Sequence, residues 1–120
     1  MRPAPATPVV HLELHTGDLG RAHAFYTALC GWRSDAVKTP HAAYLALELG
    51  HTLGGGIVQC PTAHPLWLPY IEVADINDTT DQARRLGATV LLTPRGGPTG
   101  WRSVVATPAA GEIALWQPKR

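Results

Sequence analysis

Cysteine is scarce in this sequence, which contains only Cys30 and Cys60, far apart along the chain. A small disulfide-stabilised domain and a thiolate metal site both need several closely spaced cysteines. The cysteine content therefore argues against both classes. We expect two free thiols.

An excess of charge of one sign is also missing. The 10 Lys and Arg residues nearly balance the 9 Asp and Glu residues, which leaves a formal net charge of +1. The basic residues are scattered along the chain, whereas a nucleic-acid-binding protein concentrates them into a patch or stripe. Nucleic acid is therefore not expected as a partner.

Long apolar runs are absent as well. No stretch approaches the roughly 20 apolar residues that a helix needs to span a bilayer. The first eight residues, MRPAPATP, lack the apolar segment of a signal peptide. These absences predict a cytoplasmic protein that makes no contact with a membrane.

The composition that is present is typical of a folded domain. Hydrophobic residues make up 45% of the 120 residues and charged residues 16%, which is far from the composition of disordered chains. A chain of this length can bury one substantial core but not two ordinary independent ones. We therefore predict a single domain over residues 1–120.

An internal repeat with a period of 57 residues is the most informative feature of the sequence. Its landmarks are Asp18 and Asp75, Gly54 and Gly111, Pro61 and Pro118, and, one residue early, Gly31 and Gly87. The repeat predicts two copies of one structural unit. The first module covers about residues 8–60 and the second about residues 66–118.

Each copy opens with the same predicted elements. Alternating apolar and polar residues predict strands at 9–15 and 67–73. Asp18 and Asp75 follow and can accept hydrogen bonds at a helix N-terminus, while Gly31 and Gly87 suit the left-handed residue that ends a helix. Shorter strands are predicted near 32–37, 43–49 and 54–60, and again near 88–93, 101–106 and 112–117. Each copy is thus a βαβββ unit.

Several segments resemble one protein superfamily. They are HLELHTGDLGRAHAFY at 11–26 and LCGW at 29–32, then YIEVADI at 70–76, ARRLGA at 83–88 and ATPAAGEI at 106–113. Together they resemble the vicinal oxygen chelate superfamily, also called the glyoxalase/bleomycin resistance/dioxygenase superfamily. The resemblance implies an α+β fold in which two βαβββ modules of one chain pair so that their curved mixed sheets enclose a cavity. It also implies a small organic ligand, commonly a homodimer, and often a divalent metal.

Members of the superfamily that use a metal take ligands from the first and last strands of each module, so the resemblance implies four ligand positions. His11 stands at the first of these positions and offers an imidazole. Leu68, Val58 and Leu115 stand at the other three and offer no donor. We therefore predict no metal and no cofactor; His11 would be a ligand if a metal were bound. A shifted metal site would use one of three other donors: Glu13, His15 and Glu48.

Strand alternation predicts which side chains line the cavity. In the first strand Val10, Leu12 and Leu14 form the apolar set expected to face the helices, so the alternate residues face the other way. The predicted catalytic residues are His11, Glu13 and Glu48. The predicted substrate-binding residues are His15, Tyr44, Val58, Leu68, Tyr70, Glu72, Trp101 and Leu115, with Trp101 the best placed to stack on a flat ligand.

These residues support three hypotheses for the function. The first is a metal-independent lyase or isomerase that uses His and Glu as general acid and base on a carbonyl-containing small metabolite, in an isomerisation, dehydration or cyclisation. The second is a non-catalytic protein that sequesters an aromatic natural product of secondary metabolism. The third is a metal-dependent glyoxalase-type or dioxygenase-type enzyme. The first is preferred, because a sequestering site gains little from burying charged groups.

Overall fold

The structure is a computed structural model that describes residues 7–38 and 43–119. The elements are β1 (Val9–Thr16), α1 (Leu19–Cys30), β2 (Ser34–Lys38), β3 (Ala43–Glu48), β4 (Gly54–Gln59), β5 (Leu66–Glu72), α2 (Ile76–Arg85), β6 (Thr89–Gly96), β7 (Gly100–Ala106) and β8 (Glu112–Pro118). The βαβββ order occurs twice, so the predicted fold class is confirmed. In the described part of the chain no helix is long and apolar enough to cross a membrane.

The described residues form two compact units, which we call the first unit (His11–Leu68) and the second unit (residues 7–10 and 69–119). In the first unit the strand order is β2-β3-β4-β1, with antiparallel pairs except for the parallel pair of β4 and β1. In the second unit the order is β6-β7-β8-β5, again with one parallel pair, β8 and β5. The two units therefore have the same internal topology.

Both helices begin at the predicted residues, and α1 also ends at the predicted glycine. The side chains of Asp18 and Asp75 each accept a hydrogen bond of 3.0 Å from the backbone N–H three residues further on. Such a cap typically stabilises a helix by about 1 kcal/mol. Gly31 follows α1 with φ 67°, and Gly87 lies just beyond α2 with φ 100°. Both conformations favour glycine, because a Cβ is strained at positive φ.

A glutamine from the last strand of each module also binds the start of the helix. The Oε1 atom of Gln59 accepts from the backbone N–H of Leu19 at 2.7 Å, and its Nε2 donates to the carbonyl of Gly17 at 2.6 Å. Gln117 makes one such bond to α2: its Oε1 accepts from the N–H of Ile76 at 2.8 Å. These two glutamines are 58 residues apart, so the repeat of 57 residues did not reveal them as a pair.

The core of the first unit lies between α1 and one face of its sheet. Leu14, Leu47 and Ile57 are buried there, and Ile57 is fully inaccessible to solvent. The partly buried residues that pack against them are Leu19, Ala22, Tyr26, Trp32, Leu45, Leu49 and Trp67. The prediction that Leu14 faces the helix is therefore confirmed, and Leu45 and Leu47 of β3 lie in the same core.

The core of the second unit corrects two predictions. Val73, Leu115 and Ile76 of α2 form a buried cluster, against which Trp101 packs. Leu115 and Trp101 thus lie on the helix side of the sheet, and the predicted opposite face is wrong for both. The true offset between corresponding residues of the last two strands is 58, not 57. A slip of one residue turns every side chain of a strand to the other face.

Candidate functional site

The candidate site lies on the face of the first unit's sheet that is turned away from α1. Three rows of directly paired residues cross it. They are His15, Val58 and Tyr44; Glu13, Gly56 and Ala46; and His11, Gly54 and Glu48. We call this surface the polar face, defined by His11, Glu13 and His15 of β1. Directly paired residues share a face, so five predicted site residues besides Glu48 lie here.

Glu13 is the centre of the polar face. Its side chain is only 11% exposed, and its two carboxylate oxygens are held separately: Oε1 lies 2.8 Å from Nε2 of His15, and Oε2 lies 3.3 Å from Nε2 of His11. An ionised carboxylate can only accept hydrogen bonds, so each imidazole donates its Nε2 proton. Both imidazoles are 27% exposed. The arrangement is a nearly buried carboxylate with a more accessible imidazole on either side.

Tyr44 joins this group from β3. Burial, and to a lesser extent the negative charge of Glu13, raises the pKa of the Tyr44 phenol from 10.0 to about 12. The hydroxyl is therefore a neutral hydrogen-bond donor at physiological pH, and it donates to the carbonyl of Gly55 at 3.5 Å. The ring lies over Gly56, the residue paired with Glu13, where any Cβ would collide with it. The absence of a side chain at Gly56 thus allows the Tyr44 ring to approach the backbone of β4 closely.

Glu48 stands apart from the other predicted catalytic residues. It is at the end of β3, its side chain is 70% exposed, and its Oε2 lies 3.7 Å from Nε of Arg33, which is itself 88% exposed. An ion pair this exposed is screened by water and contributes little to stability. The structure therefore does not bring Glu48 into the group around Glu13, and its catalytic role stays a prediction.

The donor set does not fit the divalent metal that the superfamily often uses. His11 directs Nε2 toward Glu13, and the family's ligand positions at Val58 and Leu68 have apolar side chains. Register pairing shows that Trp116, not Leu115, corresponds to Val58 in the second module, and it too lacks a suitable donor. Within residues 7–38 and 43–119, no three His, Cys, Asp or Glu side chains are grouped to hold an ion. Metal independence stays a prediction.

The remaining predicted residues belong to β5. Leu68 is 2% exposed and Tyr70 7% exposed, while Glu72 is half-buried. The Tyr70 hydroxyl accepts a hydrogen bond of 3.0 Å from Nη1 of Arg102. Arg102 was not predicted from the sequence, because the period of 57 aligned its neighbour Trp101 with Tyr44. The register instead makes Arg102 the counterpart of Tyr44.

A family model described as a glyoxalase-like domain matches residues 9–116 of this chain. No curated protein matches the sequence. The matched segment includes every described strand and helix except the last two residues of β8, so it covers both modules.

Solved structures with the same fold include a hypothetical protein from Bacillus halodurans C-125, with a TM-score of 0.73, 10% identity and coverage of 97% of each chain. Methylmalonyl-CoA epimerase from Mycobacterium tuberculosis has a TM-score of 0.68 and 14% identity, over 100% of this chain and 94% of the epimerase. A glyoxalase/bleomycin resistance protein/dioxygenase superfamily member from Vibrio splendidus 12B01 has a TM-score of 0.66 and 16% identity, over 94% of this chain and 99% of its own. At such identities the similarity establishes the fold alone.

Proposed function

The chain belongs to the glyoxalase-like domain family of the vicinal oxygen chelate superfamily, and we propose that it is a metal-independent enzyme that moves a proton on a carbonyl-containing small molecule. One observation carries this proposal: the carboxylate of Glu13 is nearly buried and held by two imidazoles. Carboxylates and imidazoles are the usual general acids and bases of enzymes. The reaction class we propose is isomerisation, in which a proton leaves one carbon and a proton is added to the opposite face of that carbon or to a neighbouring carbon.

Glu13 is the proposed base. Its carboxylate would take a proton from the carbon next to the carbonyl, leaving an enolate. Addition of a proton to the opposite face of that carbon, or to the neighbouring carbon, would complete the isomerisation. His15 and His11 orient the carboxylate through its two oxygens. A bound substrate would exclude water from Glu13. Electrostatic interactions between the oriented carboxylate and the reacting atoms are stronger without water.

Tyr44 is the proposed donor to the enolate oxygen. Its pKa of about 12 keeps the hydroxyl protonated, and its only described hydrogen bond, to Gly55, has the long distance of 3.5 Å. A ligand oxygen can therefore compete for this proton at little cost. The Glu13 carboxylate alone would repel an enolate, so a neutral donor beside it is needed to stabilise the negative charge.

The test is exchange of carbon-bound hydrogen in D₂O, followed by proton NMR. The first probe is methylmalonyl-CoA, because several structural neighbours are epimerases of that compound, and further probes are β-keto acids and α-hydroxy ketones. Wild-type protein should accelerate deuterium incorporation next to the carbonyl. Glu13→Gln should slow it by roughly 10²–10⁴-fold, the usual contribution of a general base. Glu112→Gln, on β8, is the matched control and should exchange at the wild-type rate.

The outcome also separates this proposal from sequestration. If a probe binds but neither wild-type nor Glu13→Gln protein exchanges its hydrogen, the protein is a binder and the catalytic assignment fails. The sequestration hypothesis relied on Trp101 as a stacking surface. Because Trp101 packs against Val73, Ile76 and Leu115, that support is lost.

A further inference from the structure

Arg102 is a half-buried cation on β7 of the second unit. Its Nη1 donates to the hydroxyl of Tyr70, a residue that is 7% exposed. A guanidinium carries five N–H donors in a planar fork, and this bond uses one of them. The Arg102 side chain makes no other hydrogen bond within the described residues.

A second arginine is paired with Arg102 on the neighbouring strand. Arg95 of β6 is paired directly with Arg102 of β7. Leu92 is paired with Val104, and Arg95 with Arg102. The chain therefore advances three residues along β6 but only two along β7, so β6 contains one extra residue. The extra residue is a β-bulge, a feature that re-aims side chains and is common next to binding sites. Without it Pro94, not Arg95, would oppose Arg102.

These two cations have no acidic partner in the described structure. The ion pairs within residues 7–38 and 43–119 join Glu13 to its two histidines, Arg33 to Glu48, and Arg84 to Asp81. Like charges placed directly opposite on adjacent strands repel each other and destabilise the sheet. An anion between the two guanidiniums would remove that repulsion.

We propose that Arg95, Arg102 and Tyr70 form a binding site for the anionic group of a small organic molecule, a carboxylate or a phosphate. Guanidinium forks match the geometry of both groups and bind them through two parallel hydrogen bonds. The hydrogen bond to Tyr70 fixes the orientation of the Arg102 guanidinium, so less side-chain entropy is lost when the anion binds. Trp116 is paired with Arg102 on the same face of the sheet and offers an apolar wall for the rest of the molecule.

This site goes beyond the proton chemistry proposed for Glu13 and does not rest on it. All of its residues belong to the second unit, whereas the Glu13 group belongs to the first. Binding of simple anions can be measured without turnover. A failure here would leave the Glu13 proposal intact, and a failed exchange assay would leave this site intact.

The experiment is calorimetric titration of the full chain at constant ionic strength with inorganic phosphate, pyrophosphate and malonate. Wild-type protein should bind at least one of them saturably. Tighter binding of malonate would identify a carboxylate ligand, and tighter binding of the phosphates a phosphorylated one. Arg102→Gln should weaken binding about tenfold or more, and Arg95→Gln several-fold, since each removes a charge-assisted contact.

Two further variants make the test decisive. Tyr70→Phe keeps the buried ring but removes the hydroxyl that positions Arg102, so it should weaken binding several-fold even if Arg102→Gln does not fold. Arg85→Gln removes an exposed charge at the end of α2 and should change the affinity less than about twofold. The proposal is overturned if no anion binds saturably, or if Arg85→Gln weakens binding as much as Arg95→Gln.

Discussion

The Nε2 atom of His15 lies 2.8 Å from one carboxylate oxygen of Glu13, while that of His11 lies 3.3 Å from the other. One nearly buried acid thus makes one short and one long contact with imidazoles two residues away on either side. Side chains two residues apart on a strand share a face, so β1 alone builds this group.

The unequal contacts of Glu13 predict unequal losses of stability. His15→Phe removes the shorter bond to a charged acceptor and should lower the free energy of unfolding by about 1.5–3 kcal/mol. His11→Phe removes the longer bond and should cost less, because hydrogen bonds weaken with distance. Urea denaturation of the two variants checks this order. A larger loss for His11→Phe would contradict it.

The raised pKa of Tyr44 predicts that the folded protein loses stability at alkaline pH. Its pKa is about 12 in the folded protein, whereas an unfolded tyrosine ionises near 10. Between these values the native state holds more protons than the unfolded state, so stability should fall as the pH rises from 10 toward 12. Tyr44→Phe should flatten this fall. Absorbance at alkaline pH, wild type minus variant, should show a single phenol titrating near 12.

The charge of Glu13 contributes to that pKa, although burial is the larger cause. Glu13→Gln should therefore move the pKa of Tyr44 part of the way back toward 10 and not the whole way. The same difference titration, made in the Glu13→Gln background, measures the shift. An unchanged pKa would mean that the carboxylate does not act on the phenol.

Gly56 and Gly54 form a matched pair for testing the position of Tyr44. A Cβ on Gly56 would collide with the Tyr44 ring, whereas a Cβ on Gly54 would meet nothing within 4 Å. Gly56→Ala should lower the free energy of unfolding by about 1–3 kcal/mol, as overpacking usually does. Gly54→Ala should be neutral or slightly stabilising. Combining Gly56→Ala with Tyr44→Ser should recover part of the loss, which a double-mutant cycle would measure.

The hydrogen bonds of Gln59 and Gln117 to the helix starts predict losses of stability that differ in size. Gln117→Leu removes one hydrogen bond to a helix N-terminus and should cost about 1 kcal/mol. Gln59→Leu removes two bonds and should cost more. Gln82→Leu, at an exposed position of α2, is the control and should stay within about 0.5 kcal/mol of wild type. Equal losses for all three variants would mean that the helix-start bonds add nothing measurable.

The sequence alone was sufficient to predict the two βαβββ modules, because local signals mark their elements. Asp18 and Asp75 cap helices, Gly31 ends one of them, and alternation places the leucines of β1 and β3 toward the helix. The same alternation brought His11, Glu13 and His15 to one face. These features depend on residues close together in the chain, whose periodicity carries the information.

The tertiary structure decided what depends on pairing between strands. Gly54 is the first residue of β4, but its sequence counterpart Gly111 precedes β8 with φ 81°. The glycine landmark therefore located β8 correctly but aligned its residues with those of β4 one position out. Because of this one-residue error, Leu115 and Trp101 were predicted on the wrong face of the sheet and Arg102 was not predicted as a site residue. Register is set by long-range hydrogen bonds and by bulges in β6, which a repeat counted along the chain does not contain.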